Sequence, residues 1–167
     1  MNSININHQT IDTVFGFFEQ SVYYFLSNLY PCEVKIDGYT FKSAESAYEA
    51  LIMKECGYDD NYVRTYESLD ALSARKKTRE IIFEYEIIIP SDVKINVMKN
   101  VVSCKFAQHP ELKDRLCATV GKKLIAYNDI NEIFFGVVYN PAASTFTGQN
   151  QLGIILEELR DRYRSQA

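Results

Sequence analysis

Asp37-Gly38 constrains this chain more than any other dipeptide, because the runs Val34-Lys35-Ile36 and Tyr39-Thr40-Phe41 flank it on either side. Both central positions of a type I′ turn need positive φ, so residues 34–41 read as a tight antiparallel hairpin. Ser43 follows with a hydroxyl suited to an N-cap, and the stretch 44–55 holds good helix formers with no Gly or Pro. A helix therefore starts directly behind the hairpin. Its first turn carries Glu45, close to the positive end of the helix dipole, where the ionised carboxylate is favoured. A cleft acid or base would sit at such a position.

The remaining segments alternate helix and short-strand signals. Residues 13–18 suit a first strand, 57–61 a turn, and 69–79 a helix capped by Ser68 or Asp70. That helix bears Arg75-Lys76-Lys77-x-Arg79, which is either a solvated face or a place to meet a phosphate. Pro90-Ser91-Asp92 opens the next helix, where Val93, Val97, Val101 and Cys104 recur at helical spacing with Met98 and Val102 beside them. Pro110, preceded by His109 as a cap, begins a short helix that stops at Gly121. Residues 124–127 and 133–139 read as short strands. A last helix over 150–164 turns Leu152, Ile155, Leu156, Leu159 and Tyr163 inward and Glu157, Glu158, Asp161 and Arg162 outward. The expected fold class is α+β, mostly helical, with a small hairpin and short strands.

Length and composition fit one domain over 13–167 behind a loose, polar arm at 1–12: 167 residues, 47% hydrophobic and 24% charged. A net charge of −4 supplies no basic field for extended duplex nucleic acid. No basic-then-apolar leader and no apolar run of spanning length is present, so the expectation is a cytoplasmic protein with no membrane partner and reduced thiols. Cys32, Cys56, Cys104 and Cys117 lack C-x-x-C spacing, and His8 and His109 are the only histidines, so neither a metal site nor a disulfide is expected.

The order of landmarks resembles the NADAR family (NAD- and ADP-ribose-associated, with a YbiA-like fold). Its members open with an aromatic-Ser-Asn-aromatic segment, an Asp-Gly hairpin and a Ser-Glu-His helix start, which Asn28, Tyr30, Gly38 and Glu45 match. Met98, Lys105-Phe106, Leu116 with Thr119, Leu124-Ile125, Gly136 and the block Gly148-Gln149-Asn150-Gln151-Leu152-Gly153 follow in the family's order. Departures surround the presumed site. Ser46 stands for the family His, Glu49 for a Gln, Ile52 for a Lys and Ala126 for a Glu. The family's Asp-x-x-Trp-Gly reads Glu132-Ile133-Phe134-Phe135-Gly136. Lys54 does not replace the missing lysine, because nine steps along an ideal helix put it opposite Glu45.

The resemblance implies a metal-independent N-glycosidase, without a cofactor, that hydrolyses a ribosylated heterocycle: ADP-ribosylated guanine or a ribosylaminopyrimidine phosphate. Breaking such a bond develops positive charge on the sugar, so the site needs a carboxylate near the anomeric carbon and donors that hold the ribose. Glu45, Glu49 and Glu132 are the candidate acids. Glu45 and Glu49 lie one turn apart; if both face inward, their repulsion raises one pKa and divides acid from base work, whereas an exposed Glu49 does neither. Asn28 can aim its amide at ribose or close an Asx-turn. Gly148-Gln149-Asn150 can point backbone N–H groups at a phosphate. Tyr30 and Phe135 can pack a heterocycle or fill the core. The alternative is an ADP-ribose-binding module that has lost turnover and acts through a protein partner.

Overall fold

The computed structural model describes residues 3–4, 13–142 and 144–166. They form β1 (Ser3–Ile4), β2 (Thr13–Phe15), a 3-10 turn at Tyr24–Leu26, β3 (Pro31–Ile36), β4 (Tyr39–Ser43), α1 (Ala44–Glu55) and α2 (Asp60–Arg64). There follow α3 (Ala71–Glu84), α4 (Ser91–Gln108), α5 (Pro110–Cys117), β5 (Lys123–Ile125), β6 (Val137–Asn140), β7 (Thr145–Gly148) and α6 (Gln151–Ser165). The class is α+β and mostly helical, as expected. The chain divides into two compact units, residues 28–110 and residues 1–27 with 111–167.

In the unit 28–110 the hairpin turns at Asp37 and Gly38 with φ of 51° and 80°, the two positive values a type I′ turn requires. Val34 pairs with Phe41 and Ile36 with Tyr39. Ser43 caps α1 by accepting from the Ser46 N–H at 3.0 Å. Every residue of α1 from Ala44 to Met53 is buried. Such a helix needs neighbours on all sides, and α2, α3, α4 and the hairpin supply them. Ala44, Ala47 and Ala50 let those neighbours approach closely.

Two sequence readings change in this unit. The turn signal at 57–61 runs into α2, because Asp59 caps it by accepting from the Tyr62 N–H at 2.8 Å. The helix expected over 69–79 is capped by Asp70 and continues to Glu84, since nothing between Arg79 and Glu84 breaks it. Its cationic cluster splits across faces. Lys76 and Arg79 are exposed, whereas Arg75 is drawn to Glu45 and Lys77 lies 4.5 Å and 4.4 Å from the ring centres of Tyr62 and Tyr66.

The other unit holds a parallel pair, β2 with β5, and a sheet ordered β1-β7-β6. The strand expected over 13–18 stops at Phe15, where Gly16 takes φ +73° and donates its N–H to the Ile125 carbonyl. Nor does a strand cover 133–136. The Glu132 carboxylate accepts the N–H groups of Phe134, Phe135 and Gly136 at 2.7–3.0 Å and folds this stretch into a loop. β6 begins only at Val137. Of the arm at 1–12, Ser3–Ile4 pair antiparallel with β7; the rest lies outside the described residues.

α6 packs its backbone against β5. A Cβ at Gly153 would sit 2.1 Å from the Leu124 carbonyl oxygen. Helix propensity alone favours alanine there by about 1 kcal/mol. The clash is with backbone, so Gly153→Ala is expected to lose about 1–3 kcal/mol in urea unfolding; a stabilised variant would contradict this packing. Glu157, expected outside, instead accepts the Leu124 N–H at 2.8 Å and pairs with Lys123 at 3.1 Å. Arg160 is buried and donates to the carbonyls of Thr119 and Lys122. Among the described residues no helix is long and apolar enough to cross a membrane, and no cluster could hold a metal ion. Cys32, Cys56, Cys104 and Cys117 are not in disulfides.

Candidate active site

Glu45 is fixed at both ends of its residue. Its backbone N–H donates to the Asn28 carbonyl at 2.9 Å, and its Oε1 accepts from Arg75 Nε at 2.6 Å. The Glu45 side chain is 7% exposed and that of Arg75 20%. A carboxylate this deep needs a matched cation, because an unpaired buried charge is costly. Arg75 from α3 is that cation.

Glu49 lies one turn further along and is buried rather than exposed. Burial pushes its carboxyl well above the usual range, and the neighbouring Glu45 charge pushes it further. A hydrogen bond from Thr78 and the Arg75 charge act in the opposite direction without cancelling the rise. The Thr78 hydroxyl in turn lies 3.0 Å from the Tyr66 hydroxyl. The result is two adjacent carboxyl groups in different environments, one ion-paired and one held toward its neutral form. Acid–base chemistry uses such pairs.

The raised Glu49 pKa has a stability consequence with a defined sign. A group that binds its proton more tightly when folded adds stability that is complete below its unfolded pKa and is lost as pH rises through the folded one. Wild-type stability is therefore expected to fall between the ordinary glutamate range and the raised Glu49 value, and Glu49→Gln to flatten that slope. Urea unfolding across this window measures it; parallel pH profiles for the two proteins would contradict the assignment.

Asn28 and Tyr30 belong to the same unit. Asn28 is 6% exposed; its Nδ2 donates to Met98 Sδ at 3.2 Å, and its Oδ1 has no hydrogen-bond partner. A buried acceptor left in this way is a place for a ligand N–H or O–H. Tyr30 has the Lys105 ammonium 5.5 Å from its ring centre. Lys105 is 1% exposed, and burial pushes its pKa down to about 8. A groove of about 470 Å³ runs along the hairpin, lined by Pro31, Cys32, Glu33, Thr40, Phe41, Lys42 and Glu67, and neither acid lines it.

Glu132, Phe135, Gly148 and Asn150 lie in the other unit and build one loop assembly. Glu132 holds the loop as described, and Phe135 packs edge-on to Phe134 at 4.9 Å. Gly148 takes φ +149°, and a Cβ there would meet the Gly136 oxygen at 2.3 Å. The N–H groups of Gln149 and Asn150 donate to the carbonyls of Ile133 and Gly136. The anion cradle anticipated at Gly148-Gln149-Asn150 is thus filled by the chain's own oxygens. Asn150 is left-handed, φ 52°, and its amide bridges the Ala126 N–H and the Leu124 carbonyl at 2.9 Å each.

The departures from the family pattern are built into the core. The Ser46 hydroxyl lies 2.9 Å from Ser43 Oγ and 3.2 Å from the Leu69 carbonyl oxygen. Ile52 and Ala126 are buried. Lys54 is exposed and turns to Tyr39 at 3.3 Å and Asp60 at 3.5 Å, as its helical phase required. Sequence reasoning missed Arg75, Thr78 and Tyr66 as partners of the acids. Arg75 and Thr78 are three apart on α3, so the spacing was visible, but not which face meets α1.

The chain belongs to the NADAR domain family, whose model matches residues 16–164. It is similar to the N-glycosidase YbiA of Shigella boydii, 29% identical over 94% of this chain and 92% of that one. The NMR structure of Escherichia coli YbiA superposes with a TM-score of 0.72 at 26% identity, covering 96% of this chain and 90% of that chain. A riboflavin biosynthesis protein of Vibrio vulnificus is 27% identical over 89% of this chain and 40% of its own length.

Proposed function

We propose that this chain is a metal-independent N-glycosidase that hydrolyses the bond between a ribose and a heterocyclic base, with Glu45 and Glu49 as its catalytic pair. The observation that carries the reading is the buried pair itself: Glu45 ion-paired to Arg75, and Glu49 one turn away with its pKa raised. In this reading neutral Glu49 gives its proton to the leaving nitrogen. Glu45 stabilises the oxocarbenium-like charge and accepts a proton from the attacking water. The water oxygen ends on the anomeric carbon, the Glu49 proton on the base, and the water proton on Glu45. Family membership and the similarity to N-glycosidases support this class of reaction.

The substrates proposed are ADP-ribosylated guanine or a ribosylaminopyrimidine phosphate. Asn28 Oδ1, buried without a partner, would accept from a ribose hydroxyl or an exocyclic amine. Tyr30 would pack the heterocycle. Incubation of the pure protein with each substrate, followed by chromatography, tests this: free base together with the freed sugar is the expected result. Tight nucleotide binding with no release of base from either substrate would overturn it and favour a binding module acting through a protein partner, for which the replacements Ser46, Ile52 and Ala126 argue.

A further inference from the structure

Asn28 has a backbone role and a side-chain role, and only the first is complete. Its carbonyl accepts the Glu45 N–H at 2.9 Å and so ties the start of α1 to the segment before β3. Its side-chain amide is buried, with Nδ2 3.2 Å from Met98 Sδ and Oδ1 without a partner. An amide presents a donor at one end and an acceptor at the other, and its neighbours decide which end points where. Here the neighbour on the satisfied side is a thioether, which accepts weakly and never donates. Turned by 180°, the amide would set its oxygen against that sulfur, acceptor to acceptor, and bury its N–H groups unpaired on the other side. Met98 is 1% exposed on α4, and Val97, Val101 and Val102 beside it are buried, so close packing holds the sulfur in place.

We propose that Met98 is a positioning residue of the site: its thioether fixes the Asn28 amide with Oδ1 toward the substrate, and so makes this contact specific for a hydrogen-bond donor of the sugar, a ribose hydroxyl. The proposal rests on the glycosidase reading and adds to it the polarity of one sugar contact. Asn28 is bonded to the Glu45 backbone, and Glu45 is the group that meets the anomeric carbon in that reading, so the donor nearest to Asn28 is a hydroxyl of the same ring. A hydroxyl there gives Oδ1 the partner it lacks. An ether, carbonyl or phosphate oxygen meets a second lone pair and is rejected. A buried polar group left unpaired discriminates more strongly than a difference in size.

The first measurement needs no ligand. With the Met98 methyl group labelled with carbon-13 and the protein with nitrogen-15, the Asn28 Nδ2 protons are expected to show a strong nuclear Overhauser contact to that methyl. Its absence would overturn the amide orientation and the proposal with it.

The second measurement compares affinities by calorimetry. ADP-ribose and ribose 5-phosphate are the sugars that the two proposed substrates release. Each is set against analogues in which the 2- or 3-hydroxyl of the ribose that bears the free anomeric carbon is replaced by fluorine, which keeps the size and removes the donor. For the wild-type protein one of these replacements is expected to weaken binding by roughly tenfold, the upper range for one lost hydrogen bond. Met98→Leu keeps the volume and removes the sulfur, so the amide can turn either way and the ratio is expected to fall to about threefold or less. A merely structural role would weaken hydroxyl and fluorine ligands alike and leave the ratio at its wild-type value. That result, or equal binding of all the analogues by the wild type, would overturn the proposal. A wild-type protein that binds neither sugar would instead overturn the substrate reading on which the sugar contact rests.

Discussion

Glu45→Gln is expected to lower turnover by roughly two to four orders of magnitude, the range typical of an acid–base group in the transition state, while nucleotide binding persists. The change keeps the shape of the side chain and its place beside Arg75 but removes the charge that, in the proposed reaction, meets the developing cation on ribose. The environment magnifies that charge. Glu45 is 5% exposed, and a carboxylate shielded from water stabilises an oxocarbenium-like charge far better than a hydrated one. Single-turnover kinetics with saturating ADP-ribosylated guanine nucleotide is the measurement. Unchanged turnover would remove Glu45 from the chemistry.

Arg75→Met is expected to cost about 2–4 kcal/mol of folding stability, somewhat under the usual penalty for stranding a buried charge because Arg75 keeps 20% of its side-chain surface in solvent. The loss comes from the stranded Glu45 carboxylate rather than from lost packing, since methionine fills similar space. Combining it with Glu45→Gln should therefore recover much of the stability. Urea unfolding of the two single variants and the double variant gives the coupling directly. Additive losses in the double variant, or an Arg75→Met protein as stable as the wild type, would show that the 2.6 Å pair contributes little.

Local chemistry made part of this architecture legible in advance. The Asp37-Gly38 turn, the Ser43 cap and the start of α1 each depend on residues a few positions apart, and all appear where turn and cap preferences put them. The phase of Lys54 was legible for the same reason. Segments whose conformation is set at a distance were not. Residues 133–136 carry strand-forming side chains, yet three N–H bonds to Glu132 and the carbonyl contacts to 149–152 make them a loop. Glu157 reads as a surface residue of an amphipathic helix until β5 offers it the Leu124 N–H.

The candidate site divides along the same line. Glu45 and Glu49 could be found from spacing alone, but burial decides whether the Glu49 carboxyl is held toward its neutral form or solvated. Arg75 sat within a cluster that reads equally well as an exposed face. Asn150 was noted for the wrong atoms: its left-handed backbone and bridging amide tie the start of α6 to β5, whereas its N–H points at the chain's own carbonyl. Substrate contacts made by backbone cannot be seen in a sequence, and neither can those removed by it.

The central claim is that Glu49 enters the reaction as a neutral acid beside the arginine-paired Glu45. Its most direct test is the pH dependence of the single-turnover rate for wild type and Glu49→Gln with ADP-ribosylated guanine nucleotide. The account predicts that the wild-type rate falls as pH rises through the elevated Glu49 pKa. In Glu49→Gln the rate should be lower by roughly 10²-fold or more, with that alkaline limb gone. A wild-type rate that stays level across this range, or a Glu49→Gln variant that retains both rate and limb, would contradict it.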